Sequence, residues 1–211
     1  MLHVEQNYED QLGVSRGTLD RLKIYKNLLE KWQKSINIVS RGTIDDFWNR
    51  HILDSLQISD YIIGEKVLDI GSGGGFPGMV IAICTDFKIT CIDSDTRKIV
   101  FLEEVARVTE TSVEIIADRI ENLKNTNFDT VCARGFAKLS ALIPLVHKYS
   151  RKSYGVFLKG KTVNEEIEEA QKKFKFKYEL FPSKTNKSGN IIVVSEIEKI
   201  ESKSASHGKD L

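Results

Sequence analysis

Five of the eight residues from Gly71 to Gly78 are glycine, in the run Gly71-Ser72-Gly73-Gly74-Gly75-Phe76-Pro77-Gly78, which follows directly on Val67-Leu68-Asp69-Ile70. Glycine lets a backbone turn sharply and approach a ligand closely, and Pro77 suits the first turn of a following helix. A strand, a tight loop and a helix in that order make a cradle for a nucleotide-type ligand above the strand's C-terminal end. The plain alternative is a turn that only joins strand to helix. So many glycines weaken local structure unless something approaches closely, which favours the cradle.

Gly73, Gly75 and Gly78 also satisfy a G-x-G-x-x-G pattern, so the glycines by themselves fit a nicotinamide dinucleotide as well as S-adenosylmethionine. Asp69, just ahead of the first glycine, is expected to separate the two. A carboxylate is awkward beside a pyrophosphate and useful beside the ammonium and sulfonium of S-adenosylmethionine. Asp93 ends the run Cys91-Ile92-Asp93. There it offers an acceptor to a ribose with two free hydroxyls, which serves either cofactor.

These groups need a frame to hold them. Apolar residues recur at helical spacing from Ser15 to Ile36, and a second helical stretch runs from Thr43 through Leu56, together an N-terminal helical cap over residues 1–63. Beyond Gly64 the pattern alternates. Strands are predicted at Lys66–Ile70, Lys88–Ile92, Val113–Ile116, Asp129–Ala133 and Tyr154–Leu158, with helices at Pro77–Cys84, Thr96–Val108 and Lys138–Tyr149. Such alternation predicts an α/β fold with a mostly parallel sheet covered on both faces. Two last strands, Lys175–Phe181 and Asn190–Ile197, flank a polar turn region and are predicted to pair antiparallel, completing a core over residues 64–200. Residues 201–211 read as a disordered tail.

Charge is nearly balanced over the chain, 31 Lys and Arg against 30 Asp and Glu, so nucleic-acid binding does not follow from the total. Its distribution is uneven: residues 151–187 carry 10 basic and 5 acidic side chains. Arg151, Lys152, Lys159, Lys161, Lys172, Lys173, Lys175 and Lys177 form either an RNA-backbone footprint or the solvated face of a helix interleaved with Glu165, Glu166, Glu168 and Glu169. Cys84, Cys91 and Cys132 each sit in an apolar run without metal-ligand spacing, and are expected to be core residues in a reducing compartment. No segment reads as a signal peptide or membrane span, and no metal is expected. The chain reads as cytoplasmic and monomeric.

With the loop placed, the chain resembles the glucose-inhibited division protein B family, the small-subunit ribosomal RNA guanine-N7 methyltransferases. The motifs run in order from about Leu28 to Ile197. They include Lys31-Trp32-Gln33-Lys34-Ser35-Ile36-Asn37-Ile38-Val39-Ser40, Arg50-His51-Ile52-Leu53-Asp54-Ser55-Leu56, the loop end Gly75-Phe76-Pro77-Gly78, Ala133-Arg134-Gly135-Phe136-Ala137 and Leu158-Lys159-Gly160. Gly74 departs from the Ala or Pro more usual there, and the C-terminus lacks a basic, proline-rich ending. The resemblance implies a Rossmann-like, S-adenosylmethionine-dependent methyltransferase acting on ribosomal RNA or a ribosomal particle. Its cofactor would contact Gly71, Phe76, Ile120, Glu121 and Arg134, beside the Gly73 and Asp93 read from the loop.

Guanine N7 carries an in-plane lone pair and no proton at neutral pH, so its methylation needs no general base and no catalytic dyad is expected. Arg50, His51, Lys159 and Lys161 are the expected substrate-binding groups. Structural alternatives stand beside these roles. His51 could orient Asp54 or cap a packing layer, and Arg50 or Arg134 could pair with Asp54 or Asp69. Phe76 could staple the following helix onto the sheet; Ile120 could be an edge residue and Glu121 a solvated acid. The rival functions are an NAD-dependent oxidoreductase and a non-catalytic ribosome-assembly factor.

Overall fold

The computed structural model describes residues 11–124 and 126–200. The expected tail, 201–211, and the first ten residues of the expected cap lie outside the described residues. Helix α1 (Arg16–Trp32) is capped by the Ser15 side chain, which accepts from the Thr18 N–H. Its apolar stripe, Leu19, Leu22, Tyr25 and Leu29, is buried. The second stretch departs from the regular helix its periodicity predicts. It is a 3₁₀ turn at Arg41–Thr43, then a π-helical segment at Trp48–Leu53 that runs into a single α-turn, α2 (Asp54–Leu56). A π-turn re-aims side chains relative to an α-helix; here the segment carries Arg50 and His51.

Among the described residues seven strands form one sheet: β1 (Lys66–Ile70), β2 (Lys88–Asp93), β3 (Glu114–Ala117), β4 (Thr130–Arg134), β5 (Gly155–Lys159), β6 (Phe174–Pro182) and β7 (Asn190–Lys199). Their order is β3-β2-β1-β4-β5-β7-β6. The first five are parallel, β7 runs antiparallel to β5, and β6 antiparallel to β7. The order reverses between β1 and β4, which makes the crevice at their C-terminal ends the switch point where open α/β sheets bind ligands.

Helices α3 (Gly78–Cys84) and α4 (Thr96–Val108) join α1 on one face, while α5 (Leu139–Tyr149) and α6 (Val163–Gln171) cover the other. Val67 enters the first apolar core and Leu68 the second, the period-two alternation of a strand buried on both sides. The interleaved acids of α6 lie on a helix whose Val163, Ile167 and Ala170 are buried. Cys91 and Cys132 are buried, Cys84 is half-buried, and all three are free thiols.

Candidate cofactor and RNA cleft

The end of β1 is built around two carboxylates with opposite situations. Asp69 is fully buried beneath the loop; its Oδ2 accepts from the Gly78 N–H at 3.0 Å, and the Cys132 thiol approaches Oδ1 at 3.9 Å. Burial, opposed by the Gly78 and Ser72 hydrogen bonds, pushes its carboxyl up to about 6. This corrects the expectation that Asp69 faces a cationic ligand. A strand residue's side chain follows the pleat, and here that pleat points it under the loop, where it ties the loop to the start of α3.

Asp93, at the end of β2, is half-exposed and spans the loop from the other side. Its Oδ2 accepts from the Gly73 N–H at 2.8 Å and its Oδ1 from the Asp95 N–H at 2.8 Å. The backbone of the loop is anchored as well, with the N–H groups of Gly71 and Ser72 donating to the Ile92 carbonyl at 2.8 and 3.1 Å. Gly73 has φ +57°, and a Cβ built there would meet only the Gly71 carbonyl, at 3.8 Å. The space above Gly73 is therefore open, so its glycine serves backbone conformation and close approach rather than packing.

Phe76 is almost completely buried and forms the middle of an aromatic column. It stacks on Tyr25 (centroids 5.4 Å apart, planes at 10°) and on His51 (4.6 Å, 30°), and the Arg134 guanidinium lies 4.8 Å from its centroid. Tyr25 in turn donates to the Gly74 carbonyl, joining α1 to the loop. The column fastens the π-helical segment to the glycine loop.

Arg134, at the end of β4, closes the assembly. It donates to the Arg50 carbonyl at 2.7 Å, to Asp54 Oδ2 at 3.3 Å and to His51 Nδ1 at 2.9 Å. An accepting Nδ1 places the imidazole proton on Nε2, which then donates to Thr43 Oγ1 at 2.9 Å. Burial, helped by the charges of Arg134 and Arg50, holds the His51 imidazole down at about 3, so it is neutral at physiological pH. Of the alternatives open from sequence, the geometry shows His51 in a packing layer and Arg134 paired with Asp54.

A cleft of about 680 Å³ opens over this arrangement, within the range of small-molecule sites. Gly71, Gly73, Phe76 and Arg134 line it together with Arg50, His51 and Lys159, so seven of the expected residues converge on one space. Asp93 reaches it through Gly73. Ile120 and Glu121 are not among the lining residues. They form a 3₁₀ turn beyond β3, Ile120 buried with its carbonyl accepting from the Tyr149 hydroxyl, Glu121 exposed. Lys161 is exposed near the rim, one residue beyond the lining Gly160.

Lys159 requires a correction as a phosphate contact. Its side chain is 8% exposed, and its Nζ donates to Glu166 at 2.7 Å and to the Ala137 carbonyl at 2.6 Å. Its charge is committed to fastening β5 to α6. The footprint read from residues 151–177 is depleted further by ion pairs of Arg151 with Asp129, Lys172 with Glu169 and Lys177 with Glu196.

Sequence reasoning missed Lys98, Asn49 and the turn between β6 and β7, all of which line the cleft. Thr185 in that turn donates to Asp54 Oδ1 at 2.6 Å, and the Lys184 N–H donates to Gln57 at 2.8 Å. The polar Ser183–Gly189 run was the available signal, but only the hairpin's return places it against α2.

The residues at the rim fit S-adenosylmethionine. An open cradle above Gly73 and a half-exposed carboxylate on the neighbouring strand match a ligand with amino-acid, sulfonium and ribose parts. Among the described residues no group of three His, Cys, Asp or Glu could hold a metal ion, and no helix is long and apolar enough to cross a membrane.

The family model for rRNA small subunit methyltransferase G matches residues 18–203. The chain belongs to that family. Its relatives include the ribosomal RNA small subunit methyltransferase G of Rhodospirillum centenum, 44% identical over 194 residues and covering 90% of each chain. That of Rickettsia felis is 39% identical over 191 residues, 90% of this chain and 99% of the relative. The expected family resemblance is thereby borne out. Among solved structures, a TehB-like SAM-dependent methyltransferase from Corynebacterium glutamicum aligns with a TM-score of 0.57 at 14% identity, over 82% of this chain and 98% of that one. TYW2 of M. jannaschii in complex with AdoMet aligns at 0.54 and 16%, over 79% and 80%. At such identities the likeness concerns the fold, and it agrees with the Rossmann-like sheet expected for this methyltransferase G family member.

Proposed function

We propose that this chain transfers the methyl group of S-adenosylmethionine to N7 of a guanine in small-subunit ribosomal RNA, acting as a cytoplasmic monomer on the RNA or on a ribosomal particle. One observation carries the reading: the family match over residues 18–203 contains the whole cleft, loop and rim together.

The cofactor supplies an electrophilic methyl on a cationic sulfur. The protein's own residues do the rest. Gly73 lets the backbone approach the amino-acid end, with Gly71 beside it in the cleft wall, and Asp93 accepts from the ribose hydroxyls with the lone pairs its loop contacts leave free. Ile120 and Glu121, beyond the end of β3, flank the adenine end. Arg134 and Phe76 hold the wall between cofactor and base, with His51 packed against them, while Arg50 and Lys161 face the RNA side. Transfer of that methyl to N7 would form the N–C bond and leave the electron pair of the broken C–S bond on sulfur. No proton moves, so the absence of a general base among these residues is chemically sufficient. Rate then comes from alignment, which can contribute roughly 7–11 kcal/mol. Because A-form RNA hides N7 in a deep, narrow groove, the target base must be in a loop or extruded.

The test is incubation of the protein with labelled S-adenosylmethionine and either total ribosomal RNA or small ribosomal subunits, followed by digestion to nucleosides. Label in 7-methylguanosine is the expected outcome. Label in another nucleoside, or none in either substrate, sinks the reading.

A further inference from the structure

An extruded guanine needs a flat apolar surface on which to rest, because leaving its stack exposes both faces of the base to water. Four large hydrophobic side chains are exposed among the described residues: Val100, Phe136, Tyr178 and Ile200. Two of them are aromatic. Tyr178 lies on β6, the far edge of the sheet, whereas Phe136 directly follows Arg134 and Gly135 at the C-terminal end of β4, beside β1. Both Arg134 and Gly135 line the cleft.

The Phe136 ring lies against the glycine loop. A Cβ built on Gly71 would stand 2.1 Å from Phe136 Cδ2, and 2.8 and 2.9 Å from Cε2 and Cγ. Gly71 thus admits the ring by having no side chain, and its φ of +65° would strain any other residue. The ring is seated on the loop yet remains 43% exposed. Gly135, at φ +64°, turns the chain between two neighbours of opposite fate, sending the Arg134 side chain into the aromatic column and leaving the Phe136 ring, not itself a lining residue, exposed over Gly71, which with Gly135 lines the cleft. Arg50 and Lys98 line the same cleft and bring positive charge suited to the phosphates flanking a base.

Resting on the function proposed above, we propose that Phe136 is the platform on which the target guanine stacks during methyl transfer. The chemistry adds a reason for an aromatic ring rather than any apolar surface. The base is neutral before transfer and becomes a cation once N7 carries the methyl, and an aromatic face attracts a cation through its quadrupole. The stack therefore strengthens as the reaction proceeds, and an interaction stronger in the transition state raises kcat.

The experiment compares wild type with Phe136→Leu, Phe136→Ala and Phe136→Trp, using total ribosomal RNA and labelled S-adenosylmethionine, with cofactor affinity measured separately by calorimetry. Stacking on an aromatic side chain corresponds to roughly 5- to 150-fold per base. The Leu and Ala variants are expected to lose activity in that range, with the loss appearing in kcat, while cofactor affinity stays within about twofold of wild type. The Trp variant, larger and more strongly quadrupolar, is expected to retain most of the activity. Leu equal to wild type overturns the proposal, since an apolar shape would then suffice. A loss confined to KM overturns it too, as does a parallel loss of cofactor affinity, which would place the ring in the cofactor's own pocket. Wild-type protein that labels no RNA overturns the functional reading instead, and is distinguishable because no variant needs to be compared.

Discussion

The guanidinium of Arg134 donates to Nδ1 of His51 at 2.9 Å, and that one bond decides what the histidine is. With Nδ1 accepting and Nε2 directed at Thr43, the ring is a neutral spacer between a β4 arginine and the π-helical segment. It is no proton donor or acceptor for chemistry. Arg134→Met should therefore release His51 and leave Asp54 without its cation, though still bonded to Thr185. Breaking the pair is expected to cost about 3 kcal/mol in urea unfolding, and the His51 imidazole should titrate closer to its usual 6.5 by NMR. An unmoved His51 resonance would show that the arginine does not control the ring.

Acid stability should reflect two buried groups that pull in opposite directions. His51 is held at about 3 in the fold against 6.5 unfolded, so the unfolded state binds more protons in that window and stability falls as pH drops through it. Asp69 is pushed up to about 6 from 3.8, so the folded state binds more protons in its window and stability rises as pH drops. Between about pH 4 and 6 the two offset one another. Asp69→Asn removes the second contribution and should leave a steeper acid loss, on the order of 1 kcal/mol per pH unit. His51→Gln should reverse the slope over the same range. Parallel unfolding curves for wild type and both variants at pH 4, 5 and 6 would refute this pairing.

Lys159 and Lys161, two residues apart, should respond to substitution in different ways. Lys159→Met leaves Glu166 without its cation at a site 14% exposed, and should cost about 3 kcal/mol of stability while leaving the salt dependence of RNA binding unchanged. Lys161→Ala, at an exposed position, should leave stability intact and lower the salt slope by about 0.7–0.9 for one lost phosphate contact. Reversed outcomes would return Lys159 to the RNA side.

Asp93 has a double task, since its oxygens already accept from Gly73 and Asp95. Asp93→Ala should weaken S-adenosylmethionine binding by roughly ten- to a hundredfold in calorimetry, combining lost ribose bonds with a looser loop. RNA binding without cofactor should barely change. Asp93→Asn keeps one acceptor and should fall between. Unaltered affinity in the Ala variant, with an unperturbed circular dichroism spectrum, would place the ribose elsewhere.

The sequence by itself determined the order of elements, the parallel sheet with its antiparallel end, the glycine loop as the place of close approach, and the family, because each rests on local periodicity or on motifs in fixed order. Strand ends at β1, β2 and β4 could be read because parallel strands are apolar runs that stop where the chain reaches solvent. Tertiary structure decided which charges are available. Asp69 and Lys159 look in sequence like ligand-facing groups, yet one is sealed under the loop and the other is spent on Glu166. A side chain's partner depends on the pleat and on helices that cross many residues away, which no spacing along the chain records. The same holds for Tyr25, an ordinary apolar-face position of α1 until its hydroxyl meets the Gly74 carbonyl. It holds also for Phe136, whose seat on Gly71 exists only where β1 and β4 lie side by side.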